Sequence, residues 1–199
     1  MSSTVSAVDV VREHFRRSAD IKLRTAEACA EDIARAATAI VDSFRNGGKL
    51  LICGNGGSAA DAQHMAAELV SRLTLDFERP GLPAIALTTD TSFLTAYAND
   101  FAFEGVFARQ VQALARAGDV LIGISTSGSS KNVVAAFEQA KSAGVTTIAL
   151  TGERGGLNDM ADIAICIPAS QTAHIQEAHL AVEHILCHLV ERLLFPDAR

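Results

Sequence analysis

The chain begins with about forty residues whose apolar positions recur at helical spacing. Ile33, Ala36, Ala37, Ile40, Val41 and Phe44 fall on one stripe, and Asn46-Gly47-Gly48 supplies a C-terminal stop. Residues 6–46 therefore read as helix throughout, expected as an amphipathic pair that precedes the first strand. Two helices there carry more apolar surface than a small sheet needs. Part of that surface is available to subunit packing, with packing inside the chain as the plainer alternative.

At Lys49 the pattern changes. Short apolar runs at 49–54, 83–88, 119–124, 145–150 and 163–167 read as five strands, and helical stretches are predicted at 58–73, 103–116, 131–143 and 172–195. Strands that are apolar throughout and separated by helices belong to a parallel sheet covered on both faces. The right-handed crossover rule then leaves an α/β fold, a single doubly wound five-stranded parallel sheet of flavodoxin-like order. No linker, repeat or low-complexity segment interrupts it. The expectation is one domain over 1–199, with the helical pair in 1–48 and the α/β layers in 49–195.

Composition agrees with that picture. The 199 residues are 49% apolar and 20% charged, which suits one soluble globular domain and argues against disorder. Lys and Arg number 17 against 23 Asp and Glu, a net charge of −6 with no basic stripe, so no nucleic-acid partner is expected. Net charge describes the whole surface, however, and leaves room for a small anion in a local pocket. Residues 1–10 lack the basic-then-apolar layout of a secretory leader, and no run of about 18 apolar residues could span a membrane. Cys29, Cys53, Cys166 and Cys187 are widely spaced, with no CxxC pair. A reduced, cytoplasmic setting without membrane partners is expected.

Two polar loops stand where ligands bind in such sheets, beyond the carboxyl ends of the strands. Cys53-Gly-Asn-Gly-Gly-Ser58 follows the first strand, and Ser125-Thr-Ser-Gly-Ser-Ser130 follows the third. Each precedes a helix, so free backbone N–H groups and the positive helix end can hold an anion, and the hydroxyls add donors. Gly and Ser also occur as plain caps in strand-to-helix turns, and the first loop fits neither the Walker pattern nor the spaced glycines of dinucleotide sites. Two hydroxyl-rich loops in one small sheet exceed what capping needs and favour phosphate.

Further candidate chemistry lies on two helices. His64 and Glu68, four apart, share a helix face and can serve a metal or act as acid and base; an ordinary exposed polar pair has the same spacing. The last helix adds Gln176, His179, Glu183, His184 and His188. Gln176 and His184 are separated by a rise of roughly 12 Å at 1.5 Å per residue, an awkward span for one ion. Gln176 with His179, or His184 with His188, is easier from spacing alone, which leaves the ligand set open.

Residues 53–68, Ala98-Asn-Asp-Phe101, Gly123-Ile-Ser-Thr-Ser-Gly-Ser-Ser130, Leu150-Thr-Gly152 and Ile175-Gln-Glu-Ala-His179 together carry a resemblance. Over residues 6–195 the chain closely resembles the phosphoheptose isomerases, a family of single sugar-isomerase (SIS) domains. The resemblance implies a cytoplasmic homotetramer with shared active sites. It also implies conversion of D-sedoheptulose 7-phosphate to D-glycero-D-manno-heptose 7-phosphate, an aldose–ketose isomerisation that feeds heptose synthesis for surface polysaccharide. Carried over by motif, Glu68 and His184 are the implied catalytic residues, and His64, Glu68, Gln176 and His184 the implied ligands of one zinc ion. Implied substrate contacts are Asn55, Gly56, Gly57, Ser58, Glu68, Asn99, Asp100, Ser125, Thr126, Ser127, Ser130 and Gln176. Two departures stand out: Ser129 where Asn is usual, and Ala173-His174 where Arg is usual before Ile-Gln-Glu. The competing expectation is a non-catalytic SIS regulator that binds the bacterial replication initiator. Such regulators lose the acidic and final His positions, and this chain keeps both Glu68 and His184.

Overall fold

No glycine or proline occurs before Gly47, so nothing breaks the first helical pattern. The computed structural model, which describes residues 6–75 and 78–197, has one helix there, α1 (Ala7–Arg45), of 39 residues. This corrects the expected pair: without a breaker, backbone hydrogen bonding continues until Gly47, whose φ of +77° suits glycine. Residues 1–5, half of the segment read as lacking a leader, lie outside the described residues, as do 198–199 of the expected domain.

Beyond α1 the chain alternates: β1 (Leu50–Gly54), α2 (Gly57–Val70), β2 (Ala84–Ala86), α3 (Thr91–Asp100), a 3-10 turn (Phe103–Gly105) and α4 (Val106–Leu114). There follow β3 (Val120–Ser125), α5 (Lys131–Ser142), β4 (Thr146–Thr151), α6 (Leu157–Met160), β5 (Ile163–Cys166) and α7 (Thr172–Leu194). All strands pair in parallel in the order β2-β1-β3-β4-β5, the expected doubly wound sheet. Three further stretches differ from the reading. The stretch 103–116 divides into the 3-10 turn and α4, and α3 and the short α6 occupy residues assigned to no element.

Alternating side chains build two cores. Leu50 and Ile52 of β1 and Ile122 and Ile124 of β3 face α1, α2 and α7 through Ile40, Met65 and Leu186. Leu51 and Cys53, with Leu121, face α4 and α5 through Phe107 and Phe137. Gly123 in β3 has no side chain because the Phe137 ring and Val133 press against its Cα. At the opposite end of these strands, buried Asp119 accepts from the Lys49 N–H at 2.9 Å, the Lys49 ammonium at 2.6 Å and the Arg116 N–H at 2.7 Å, tying the starts of β1 and β3 together.

Register positions the chemistry. Gly54 lies opposite Ile124 in the β1–β3 pairing, so both polar loops leave adjacent central strands at the same edge. The order reverses there, since β2 lies on one side of β1 and the later strands on the other. That switch point is where an open α/β sheet offers a crevice.

Candidate active site

The first loop is shaped by close approach. A Cβ on Gly54 would come 2.7 Å from the Ser58 carbonyl, and Gly56 caps α2 at φ +57°. Asn55 and Asn132 exchange two side-chain amide hydrogen bonds, each 2.8 Å, which fasten this loop to the first turn of α5. In the second loop the Ser125 and Ser130 hydroxyls meet at 2.9 Å, and the Ser129 hydroxyl donates to Ser127 at 3.1 Å. Gly128 holds the turn at φ +61°. The Ser58 N–H already donates to the Asn55 carbonyl at 3.0 Å. The free donors at the helix starts are the Gly57 N–H of α2 and the Lys131 and Asn132 N–H groups of α5, which with the loop hydroxyls form a cradle of neutral donors.

Lys131 does not supply the positive charge here. Its side chain is 82% exposed and faces Glu104 at 3.9 Å. Arg154, in the loop after β4, instead lines a cavity of about 200 Å³ together with Thr126, Ser127 and Ser170. Sequence order hid it, because it reaches the second loop only through the β3–β4 pairing.

Helices α2 and α7 run side by side in the same direction. Gln176 lies against Gly57, where a Cβ would stand 2.5 Å from the amide nitrogen; seven residues on, His64 Nε2 meets His184 Nε2 at 2.8 Å. Glu68 Oε1 is 3.9 Å from His64 Nε2. In one chain His64 thus meets His184 and lies near Glu68, although the donor atoms of the three do not all fall within 4.8 Å of one another, and Gln176 sits at the foot of α2. Gln176 at Gly57 therefore stands about two helical turns before the His64–His184 pair, so the eight-residue separation on α7 is preserved along α2. Tetrahedral zinc with ligand lengths of about 2.0–2.1 Å separates its ligand atoms by roughly 3.3 Å, and the two observed separations lie on either side of that value. Two imidazoles, a carboxylate and an amide oxygen make a donor set that suits such an ion.

Asn99 and Asp100 are not joined to this group. They bond to each other at 2.9 Å on the exposed last turn of α3, which packs against the 3-10 turn and α4. His188 is exposed one turn beyond His184 on α7, whereas His179 is buried with Nε2 3.1 Å from the Thr151 carbonyl. Burial pushes the His179 imidazole down to about 4, so it stays neutral.

Several residues of the site were not read from the sequence. Asn132 is the amide partner of Asn55. Arg79 is buried, with Nε on Glu191 at 2.8 Å and a second nitrogen on the Glu68 carbonyl at 2.8 Å, so it fixes the backbone beneath Glu68. Glu183 is fully buried without a hydrogen-bond partner; burial, then the nearby Asp61 charge, pushes its carboxyl up to about 9. Glu183, unlike Asn132 and Arg79, was among the candidates read on the last helix, and its place beside Ile175, Ala178, Val182 and Leu186 accounts for its burial.

Comparison with known proteins follows the geometry. Residues 13–152 match the SIS domain family model. A doubly wound parallel sheet with two Gly/Ser loops at its switch point is thus, here, a SIS domain. Among curated relatives, a phosphoheptose isomerase of Roseiflexus sp. (strain RS-1) is 55% identical over 188 residues, covering 94% of each chain. The solved phosphoheptose isomerase of Neisseria gonorrhoeae is 44% identical with a TM-score of 0.87, covering 93% of this chain and 98% of its own. That of Francisella tularensis is 41% identical with a TM-score of 0.90, covering 94% and 100%. The chain belongs to the phosphoheptose isomerase family, and it is an isomerase.

Proposed function

We propose that the chain converts D-sedoheptulose 7-phosphate to D-glycero-D-manno-heptose 7-phosphate, with its machinery at the α2–α7 seam. The observation that carries this reading is the His64–His184 contact, with Glu68 3.9 Å from His64 on the helix that follows the first of two donor-rich loops at one sheet edge. The Ser125–Ser130 hydroxyls and the free N–H groups at the starts of α2 and α5 take the phosphate. Exposed Asn99 and Asp100 contribute to the sugar hydroxyls from the neighbouring strand end.

Glu68 takes a proton from C1 of the open-chain ketose and returns it at C2. His184 moves the matching proton between O1 and O2. Gln176, seated at Gly57, orients the sugar between loop and helices. His64, Glu68, Gln176 and His184 would hold zinc, which polarises the carbonyl and stabilises the developing oxyanion when bound. Metal ligation weakens a carboxylate as a base, so Glu68 fills its two roles in turn.

The chain is proposed to act as a homotetramer in the cytoplasm. Support for assembly comes from Phe15 and Leu23 of α1, 71% and 70% exposed, together with Val8, Val10 and Val11 on the same helix. Support for the setting comes from four cysteines without disulfides. The regulator reading has no comparable support, because the chain retains both the acid and the final histidine.

The experiment is incubation of purified protein with sedoheptulose 7-phosphate, with and without exhaustive chelation. The expected result is heptose 7-phosphate formation that falls on metal removal and returns with zinc. No conversion under either condition would overturn the isomerase reading. Conversion indifferent to metal removal would keep the isomerase and remove zinc.

A further inference from the structure

A second group of metal-ligating side chains lies outside the α2–α7 seam. His14 comes from the early turns of α1, and His174 with Glu177 from the first turns of α7, spaced three apart on one face. Their donor atoms all lie within 4.8 Å of one another, and no other trio of His, Cys, Asp or Glu does so among the described residues. His14 Nε2 is 2.6 Å from Glu177 Oε1, and His174 Nδ1 is 3.4 Å from Glu177 Oε2. The two imidazoles lie 4.5 Å apart between centroids, their planes tilted by 42°. His174, at the position where the sequence departs from its family, is only 5% exposed, so packing holds one of the three donors in place.

We propose that His14, His174 and Glu177 form a second divalent-metal site of the zinc class, clamping the start of α1 to the start of α7. Two imidazole nitrogens and one carboxylate are the donor set that zinc accepts with an open fourth position. The observed separations again bracket the roughly 3.3 Å of a tetrahedral site built on ligands at about 2.0–2.1 Å. Calcium and magnesium are disfavoured, since they call for six or more oxygen donors. Solvent reaches the fourth position, because the His14 and Glu177 side chains are 44% and 34% exposed. A cavity of about 560 Å³ lined by His14, His174 and Gln171 opens onto it. Of the three arginines on that wall, Arg17 bonds Glu13 at 2.7 Å and Arg12 faces Asp9 at 3.7 Å, while Arg16 lines the cavity as well.

This centre is separate from the one beside Glu68. His174 and Gln176 are two positions apart on α7 and so project about 200° from each other at 3.6 residues per turn. The inference does not rest on the isomerase reading.

The test is cobalt(II) titration of metal-free full-length protein, read by equilibrium dialysis and by ligand-field absorption. Wild type, His14→Ala, Glu177→Gln and His64→Ala are compared. His14 is half exposed on a helix, where Ala is well tolerated, and circular dichroism checks the fold. The expected result is that His14→Ala and Glu177→Gln each bind one cobalt fewer per chain than wild type, with its absorption band lost. His64→Ala keeps that band, and His14→Ala keeps isomerase turnover. If His14→Ala binds as much cobalt as wild type with the same spectrum, the site does not exist. A wild type that binds a single cobalt, lost in His14→Ala, would support this site and count against the zinc centre at His64.

Discussion

Gly57 shows how closely a single atom is placed. The Gln176 amide occupies the space a side chain would need, 2.5 Å from the position of a Cβ. Gly57→Ala should therefore push Gln176 off the loop while leaving the cores intact. Turnover should fall by on the order of a hundredfold, the scale of a 1 Å misplacement, with an unchanged melting profile. Buried His179 gives a pH prediction. Its imidazole ordinarily titrates near 6.5 and is held down to about 4 in the fold, so the unfolded chain binds the proton first as pH falls. Its contribution to stability is complete above about 6.5 and is lost as pH falls towards about 4. His179→Gln should flatten the acid limb of a denaturant-midpoint profile over that window.

At this scale the sequence revealed much of the donor chemistry. The two hydroxyl- and glycine-rich loops were legible as donor-rich turns, whereas the His64/Glu68 spacing by itself fitted an ordinary exposed polar pair equally well. Arg154, Asn132 and Arg79 could not be read, since each reaches the site through tertiary packing and not through spacing along the chain. The awkward span between Gln176 and His184 persists in the fold, where Gln176 packs at Gly57 and His184 meets His64 seven residues further along α2.

Among elements, the strands were legible because β1 and β3 are buried along their whole length and so lack polar interruptions. Helix α3 was missed although Leu94, Tyr97 and Ala98 face the core at helical spacing, because it is short and none of its residues is fully buried. The division of the N-terminal helix failed for the opposite reason: its stripe is continuous and no breaker divides it. The segment between α2 and β2 is held by one buried ion pair. Arg79 donates to Glu191, to the Leu69 and Pro80 carbonyls and to the Glu68 carbonyl. Arg79→Met would leave Glu191 charged, buried and short of its partner, at a cost of about 3–5 kcal/mol. Equilibrium unfolding in urea measures that loss. Turnover should fall as well, because the backbone carrying Glu68 loses its anchor.

For the whole molecule, a net charge of −6 argued against nucleic acid and said nothing of the pocket. The sheet order resolves the apparent conflict: β1 and β3 are neighbours, so two neutral loops and two helix N-termini converge on one spot, with Arg154 beside the second loop. The exposed apolar face of α1 makes its own prediction. Phe15→Lys with Leu23→Lys should convert the assembly to smaller species in light scattering while each chain keeps its helical signal; an unchanged mass would remove that face from the interface.

The most direct measurement of the central claim is turnover of sedoheptulose 7-phosphate by Glu68→Gln and His184→Gln beside wild type. Loss of proton transfer should cut turnover by roughly 10²–10⁴-fold in each variant, with folding and phosphate binding retained. Well-folded variants that keep full turnover would contradict it.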